Sequence, residues 1–310
     1  MRNNYELFVN SYSFINVIKS IKNFTVKKIE TSNKKKGLAK IIELKKNKTI
    51  LKLEENSFKT IKSIILHGSY STGDEINFSD LDVVVIINDE KNYSKRTIKS
   101  DLRKLKKLTI NLYKIDPLMH HGLMFFNLSE TKAYDQSFLP LEIFRTSICL
   151  YGPRSIKFNV IENFEISNYK DRLSYILENL QGGYHFSNRI HQQDYTLKYF
   201  ISGILLIPVI FLASKKRYVN KKDSFEICYT EYPEINWEVV KKTEQIRKEW
   251  LNTDIHSIHV LLLNVFSTKG QRFSRFFYKK NYIKFGGMID VLNNDLLQLE
   301  KTLNLYYADN

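Results

Sequence analysis

The chain contains little cysteine. Its 310 residues include only Cys149 and Cys228, and two cysteines this far apart supply neither a disulfide framework nor a paired Cys-x-x-Cys metal site. We therefore expect a reducing compartment, of which the cytoplasm is the simplest. Residues 1–6 also lack the apolar core of a signal peptide, which agrees with that expectation.

Long apolar runs are scarce as well. The most apolar stretch covers residues 199–214, and it is interrupted by Ser202, Gly203 and Pro208. A helix that spans a bilayer needs about 20 predominantly apolar residues. The stretch therefore predicts a buried helix, and we expect no membrane insertion.

Positive charge is concentrated near the N-terminus. The chain has 48 basic and 33 acidic residues, a formal net charge of +15. Residues 1–62 contain 15 basic and 5 acidic side chains, whereas residues 63–150 contain 11 of each. A basic balance favours anionic partners such as nucleotides or nucleic acid. Because lysine greatly outnumbers arginine, as expected for an AT-rich genome, the charge alone decides little.

Hydrophobic patterning divides the chain into three parts. Residues 1–62 predict a basic helical segment packed on the core, with apolar residues at near-helical spacing around Ile21 and around Phe58 and Ile61. Residues 63–155 alternate strand and helix signals. Residues 156–310 show helical periodicity. We expect an α/β (α+β) core with a mixed sheet, followed by an all-helical domain.

The segments that support this division are specific. In the α/β part, strands are predicted at Ile64–Leu66, Leu81–Ile87 and His120–Leu128, with a helix through Ile98 to Leu112 that ends before Pro117. In the last part, helices are predicted at Leu173–Leu180, Trp237–Trp250, Ile258–Phe266 and Ile289–Leu299.

The chemistry is carried by a short apolar strand that ends in Gly68-Ser69 and by Asp80 and Asp82, which open the next strand. Alternate residues of a strand share a face, so the two carboxylates lie about 7 Å apart and favour a cation between them. Oxygen ligands of this kind suit Mg²⁺, which bridges carboxylates to substrate phosphates. Gly68 lets a phosphate approach the backbone, and Ser69 can donate to it.

This pattern resembles the polymerase-β-like nucleotidyltransferase superfamily, in which a Gly-Ser turn is followed after about ten residues by Asp-x-Asp. Here ten residues separate Ser69 from Asp80. The resemblance implies that Asp80 and Asp82 bind Mg²⁺ or Mn²⁺. It also implies that Gly68 and Ser69 bind the phosphates of a nucleoside triphosphate. The similarity is strong over residues 63–87 and weaker beyond them.

The third catalytic carboxylate of that family has no clear counterpart. Asp116 is the nearest candidate, although Pro117 is unusual beside a central strand. His120 or His121 is an alternative, because a neutral imidazole serves as a base near pH 7. A role for none of the three is the remaining possibility.

Basic residues in the helical half offer further candidates. Lys198 lies among apolar residues, and it either extends to solvent or binds the triphosphate, as a basic residue does in related enzymes. Lys221 and Lys222 are weaker candidates for phosphate contacts. His256 and His259 are three residues apart, but they are interpreted as ordinary helix residues.

These observations predict a metal-dependent nucleotidyltransferase. It would move a nucleoside monophosphate to an acceptor hydroxyl and release pyrophosphate. The acceptor is left open among a small molecule, RNA and protein, and so are the base preference and the oligomeric state. The alternatives are a non-catalytic nucleotide or nucleic-acid binding module and a partner protein that uses the apolar stretch 199–214.

Overall fold

The computed structural model describes residues 21–22, 58–119, 121–134, 139, 141–153, 156–161, 170–180 and 193–309. Most of the predicted N-terminal helical segment lies outside these residues. Where the predicted helical segment overlaps the described residues, the prediction was wrong. Ile21–Lys22 is a short strand (β1), and Ile61 begins a longer strand. The strand forms there because residues 61–67 pair with the central strand of a sheet.

The α/β part is a mixed four-stranded sheet flanked by helices. Its strands are β2 (Ile61–His67), β3 (Asp82–Ile87), β4 (Leu123–Asn127) and β5 (Ile148–Tyr151), in the spatial order β4-β3-β2-β5. The β3–β4 pair is parallel, whereas β2 is antiparallel to both of its neighbours. A separate pair joins β1 to β6 (Val160–Ile161). The predicted mixed sheet is confirmed.

The central strand β3 is buried on both faces. Val83 and Val85 pack with the buried face of helix α2 (Lys95–Ile115), whereas Val84 and Ile86 face a second cluster that contains Phe144. An uninterrupted β-branched run is typical of such a strand. The sheet therefore holds the residues at the start of β3 in a rigid position.

Helix α2 is fixed to the sheet by a buried carboxylate. Asp101 Oδ2 accepts hydrogen bonds from Lys59 N at 2.8 Å, Thr60 N at 2.7 Å and Thr60 Oγ1 at 2.8 Å. Burial opposes ionisation, but these bonds lower the pKa of Asp101 below its ordinary value. Asp101 thus joins the helix to the chain that enters β2.

The described residues after β6 are mostly helical, as predicted. A four-residue helix, α1 (Ser69–Thr72), follows β2. The later helices are 170–180 (α3), Asp194–Ile204 (α4), Ile207–Ser214 (α5), Lys221–Glu231 (α6), Glu238–Lys248 (α7), Ser257–Phe266 (α8), Gly270–Ser274 (α9), Lys280–Phe285 (α10) and Ile289–Asp309 (α11). Phe78 and Leu118 of the α/β part pack in the core of these helices. The exact domain boundaries stay predictions.

The apolar stretch 199–214 falls in α4 and α5, which a turn at residues 205–206 separates. Among the described residues, Asp194–Ser214 is one stretch with the length and apolar character of a membrane span. However, 67% of its most apolar window is buried inside the protein. Ile201 and Phe211 are fully buried in the helical core, so the length and composition of this stretch are weak evidence for a membrane span.

Candidate active site

The turn after β2 has a backbone shape that glycine permits. Gly68 has φ +74° and precedes α1, and Gly73, which caps the C-terminal end of α1, has φ +77°. The Ser71 hydroxyl and the Ser71 amide both donate to the Gly68 carbonyl, at 2.6 Å and 3.0 Å. The turn is therefore tightly closed, and Ser69 stands at the first position of a short helix.

Asp82 lies directly against this turn. A Cβ atom at Gly68 would lie 2.9 Å from Asp82 Oδ2, closer than real Cβ contacts. His67 and Asp82 are also paired between β2 and β3. The absent side chain at Gly68 thus makes room for the Asp82 carboxylate, so the acidic group faces the turn as the sequence pattern predicts.

Asp80 is brought to the same place in a different way from that predicted. Strand β3 begins at Asp82, so Asp80 precedes the strand and the alternation argument does not apply to it. Its carboxylate is held by the Lys198 ammonium, which lies 2.7 Å from Asp80 Oδ1. The position of Asp80 therefore depends on helix α4, which carries Lys198.

Asp116 joins the same group. It follows the end of α2 rather than lying on a strand, and its Oδ1 is 3.8 Å from Lys198 Nζ. Its two oxygens accept from Leu118 N at 3.1 Å and Leu81 N at 3.4 Å. Pro117 is compatible with this position because Asp116 belongs to a turn.

Lys198 is buried and charged. Its side chain is only 1% exposed, so it does not extend to solvent. Burial opposes the charged form, but Asp116 and Asp80 raise the pKa of Lys198 above its ordinary value. Its ammonium also donates to the Ser79 carbonyl at 3.4 Å and lies 5.6 Å from the Phe78 ring centre. One cation therefore serves two carboxylates.

The electrostatics of the site favour a further cation. Burial, followed by the charge of Asp80, raises the pKa of Asp82 to about 7. No group of three or more histidine, cysteine or acidic residues among the described residues forms a metal cluster. A pair of carboxylates is nevertheless the usual protein contribution to Mg²⁺ that also binds substrate phosphates. The donor set at Asp80 and Asp82 fits such an ion.

Two more cations approach from the helical half. Burial, then repulsion by Arg247, lowers the pKa of Lys221, whereas Asp82 and Asp80 oppose that change. Burial also lowers the pKa of Arg247. Two positive charges that lie close together, here near the carboxylates, favour the binding of an anion between them. Arg247 was missed by sequence analysis because nothing in its local sequence distinguishes it from other helix surface residues.

Tyr70 was missed too. Burial, then the charge of Asp116, raises its pKa to about 12, with a smaller contribution from Asp80. The phenol therefore stays protonated beside the carboxylates at neutral pH. The sequence signal that could have identified Tyr70 as a site residue is its position directly after Gly68-Ser69.

Part of the chain is similar in sequence to a known family. Residues 45–133 match the family described as Polymerase beta, Nucleotidyltransferase. The chain contains a polymerase-β-type nucleotidyltransferase domain. It also resembles the spectinomycin adenyltransferase AAD(9) from Enterococcus faecialis, whose crystal structure was determined with ATP and spectinomycin. That similarity has 12% identity and a TM-score of 0.33, and it covers 83% of this chain and 98% of the other. No curated protein matches the chain.

The remaining candidates from the sequence are histidines and Lys222. His121 is exposed, and His120 lies outside the described residues. His259 is buried, and its Nε2 lies 2.9 Å from the Tyr113 carbonyl, which accounts for it as a structural residue. Lys222 is exposed, in contrast to its neighbour Lys221.

Proposed function

We propose that this protein is a metal-dependent nucleotidyltransferase that moves a nucleoside monophosphate from a nucleoside triphosphate to an acceptor hydroxyl and releases pyrophosphate. The observation that carries the proposal is the contact of the Asp82 carboxylate with the Gly68 turn. It supports the proposal because the candidate phosphate-binding turn lies next to one of the two candidate metal ligands. The family match over residues 45–133 supports the same reaction.

Asp80 and Asp82 are the residues that would hold the divalent cation, Mg²⁺ or Mn²⁺. When bound, such an ion neutralises phosphate charge and lowers the pKa of an attacking hydroxyl. Asp82 suits this role because burial next to Asp80 leaves its negative charge poorly compensated. Lys198 suits a supporting role because its ammonium already holds Asp80 in place.

Gly68 and Ser69 would bind the phosphates through backbone and hydroxyl donors. Lys221 and Arg247 would add positive charge, since the Lys221 ammonium interacts electrostatically with Arg247 and with Asp82. Lys198 is a further phosphate candidate because its ammonium lies within the same group of charges. Together these groups would orient the triphosphate, and orientation is a large part of catalysis in phosphoryl transfer.

Asp116 is our candidate for the third carboxylate. It would accept the proton of the acceptor hydroxyl or position that hydroxyl. Support comes from its ion pair with Lys198, which also binds Asp80. We place the reaction in the cytoplasm, in keeping with two widely separated cysteines that are free.

The test measures pyrophosphate release and label transfer. Purified protein is incubated with each α-labelled triphosphate, Mg²⁺ and a cell lysate that supplies acceptors. Asp82→Asn is expected to abolish transfer, whereas Asp74→Asn, an exposed aspartate in the same loop, should leave it unchanged. Because the negative charge of Asp82 is poorly compensated, its removal in Asp82→Asn should not destabilise the fold. The circular dichroism spectrum of the variant should therefore remain native. Full transfer by a folded Asp82→Asn variant would contradict the proposal.

A further inference from the structure

Two segments of the surface carry exposed cations without acidic neighbours in sequence. In α2 the sole acidic residue, Asp101, is buried and bonded to Thr60. The sequence from 255 to 289 contains no acidic residue. The exposed basic residues of that second segment are Lys269, Arg272, Lys279, Lys280 and Lys284.

Two basic residues of these segments do have an acidic partner, since Lys104 lies 3.6 Å from Asp101 and Lys284 lies 3.6 Å from Glu249. Elsewhere in the helical half, ion pairs form between neighbours on one helix. Lys241 pairs with Glu238 at 3.0 Å, and Lys248 pairs with Glu244 at 2.7 Å. A compositional excess of lysine raises the number of lysines everywhere, but it does not remove acidic residues from two particular segments. The absence of acidic neighbours in these two segments therefore points to an anionic partner.

Aromatic rings are exposed among these cations. The exposed fractions of Phe266, Phe273, Phe276 and Phe277 are 52%, 56%, 45% and 47%. Phenylalanine is normally buried, and a contiguous exposed apolar patch on a protein marks an interaction site. Phe273 directly follows Arg272, so rings and positive charges alternate along one short stretch of surface.

The two basic segments meet. Arg103, Lys107 and Lys114 follow one another at helical intervals, so they share a face of α2. At the end of this face, the Lys114 ammonium donates to Asn264 Oδ1 on α8 at 2.9 Å. Gln271 Nε2 donates to the Pro117 carbonyl at 2.6 Å and holds α9 against the end of α2. At about 1.5 Å per helical residue, the basic face of α2 from Arg103 to Lys114 is some 16 Å long.

We propose that this basic–aromatic surface, formed by the exposed face of α2 and by residues 266–284, binds single-stranded nucleic acid. The cations would contact phosphates, and the exposed phenylalanines would stack on bases that a duplex keeps hidden. The linear extension of charge along α2 follows the shape of a phosphate backbone. The proposal does not depend on nucleotidyl transfer, because binding is measured without triphosphate.

A lipid surface is the competing occupant. Helix α8 exposes Leu261 and Val265 beside Phe266, and such side chains also insert into the interface of an anionic bilayer. The nucleic acid is favoured because the cations continue along α2, away from the apolar side chains of α8. The two occupants are separated by experiment.

Binding is measured on the full chain by fluorescence anisotropy. The probes are a labelled mixed-sequence 20-nucleotide RNA, the matching single-stranded DNA and their duplexes. We expect the single strands to bind more tightly than the duplexes, with log affinity falling linearly with log salt. A Phe273→Ala/Phe276→Ala double variant should weaken single-strand binding about tenfold or more. A Lys269→Gln/Arg272→Gln variant should reduce the salt slope.

The matched control is Lys241→Gln/Lys248→Gln on α7, which removes the same number of charges from ion-paired positions. This control should bind like the wild type, and all variants should keep native circular dichroism. Flotation with phosphatidylserine vesicles forms the second arm. The proposal is overturned if oligonucleotides do not bind, if the control loses as much affinity as the surface variants, or if only vesicles bind.

Discussion

Replacing Lys198 by methionine tests the central ion pair of the site. The substitution keeps an apolar stem of similar length and removes the ammonium that lies 2.7 Å from Asp80 Oδ1 and 3.8 Å from Asp116 Oδ1. The side chains of all three residues are at most 11% exposed. Removing one partner of a buried pair leaves uncompensated charge and costs about 3–5 kcal/mol.

This cost is large compared with the stability of a typical protein, about 5–15 kcal/mol. We therefore expect urea unfolding at pH 7 without divalent cations to show a free energy of unfolding lower by about 3–5 kcal/mol in Lys198→Met. Lys222→Met is the control. Because Lys222 is exposed, its replacement should change the free energy of unfolding by less than about 0.5 kcal/mol.

A double-mutant cycle then identifies the partner. Adding Asp80→Asn to Lys198→Met should recover part of the lost stability, since the unpaired carboxylate is removed. The coupling energy between the two positions is expected to be at least about 1 kcal/mol. A loss below about 1 kcal/mol in Lys198→Met, or a coupling energy near zero, would refute the ion-pair account.

Two further predictions concern the turn and the anchor of α2. Gly68→Ala should abolish nucleotidyl transfer and lower stability by about 1–2 kcal/mol, because Gly68 has φ +74° and the new Cβ would press on Asp82 Oδ2. Gly287→Ala, where nothing lies within 4 Å, should leave both unchanged. Asp101→Ala should destabilise the protein by about 2–4 kcal/mol, because it leaves the amides of Lys59 and Thr60 without their acceptor. Since the folded-state pKa of Asp101 is lowered, its contribution is present above about pH 4 and is lost as pH falls further. The stability difference between wild type and Asp101→Ala, measured from pH 7 to pH 2, should therefore narrow at acid pH, and a constant difference would contradict this assignment.

Local sequence was sufficient for most of the fold. The β-branched run after Asp82 predicts a central strand because such residues pack well on both faces of a sheet. The apolar spacing from Ile98 to Leu112 predicts helix α2. Leu105 and Leu112 are buried as expected, but Ile98 and Leu102 are 41% and 55% exposed, so part of the predicted buried face was wrong. By contrast, the apolar spacing around Ile61 predicts a helix. Ile61 instead lies in strand β2, because residues 61–67 pair with β3.

The site was predictable where its residues are close in sequence. Gly68 and Ser69 define the turn, and a spacing of ten residues brings the chain back at Asp80. The third carboxylate was uncertain because Asp116 reaches the site from a turn rather than from a strand. Its carboxylate oxygens are oriented by the amides of Leu81 and Leu118, and no local pattern reveals such contacts.

The sequence by itself determined that a Gly-Ser turn follows one strand and that an acidic pair lies at the start of the next, since hydrophobic runs and turn residues act over a few neighbours in the chain. The tertiary structure alone decided that Lys198 would balance Asp80 and Asp116, and that Lys221 and Arg247 would stand near them. These residues lie far apart along the chain. Their charges interact because helix packing brings them together in a partly buried setting, where water screens them weakly.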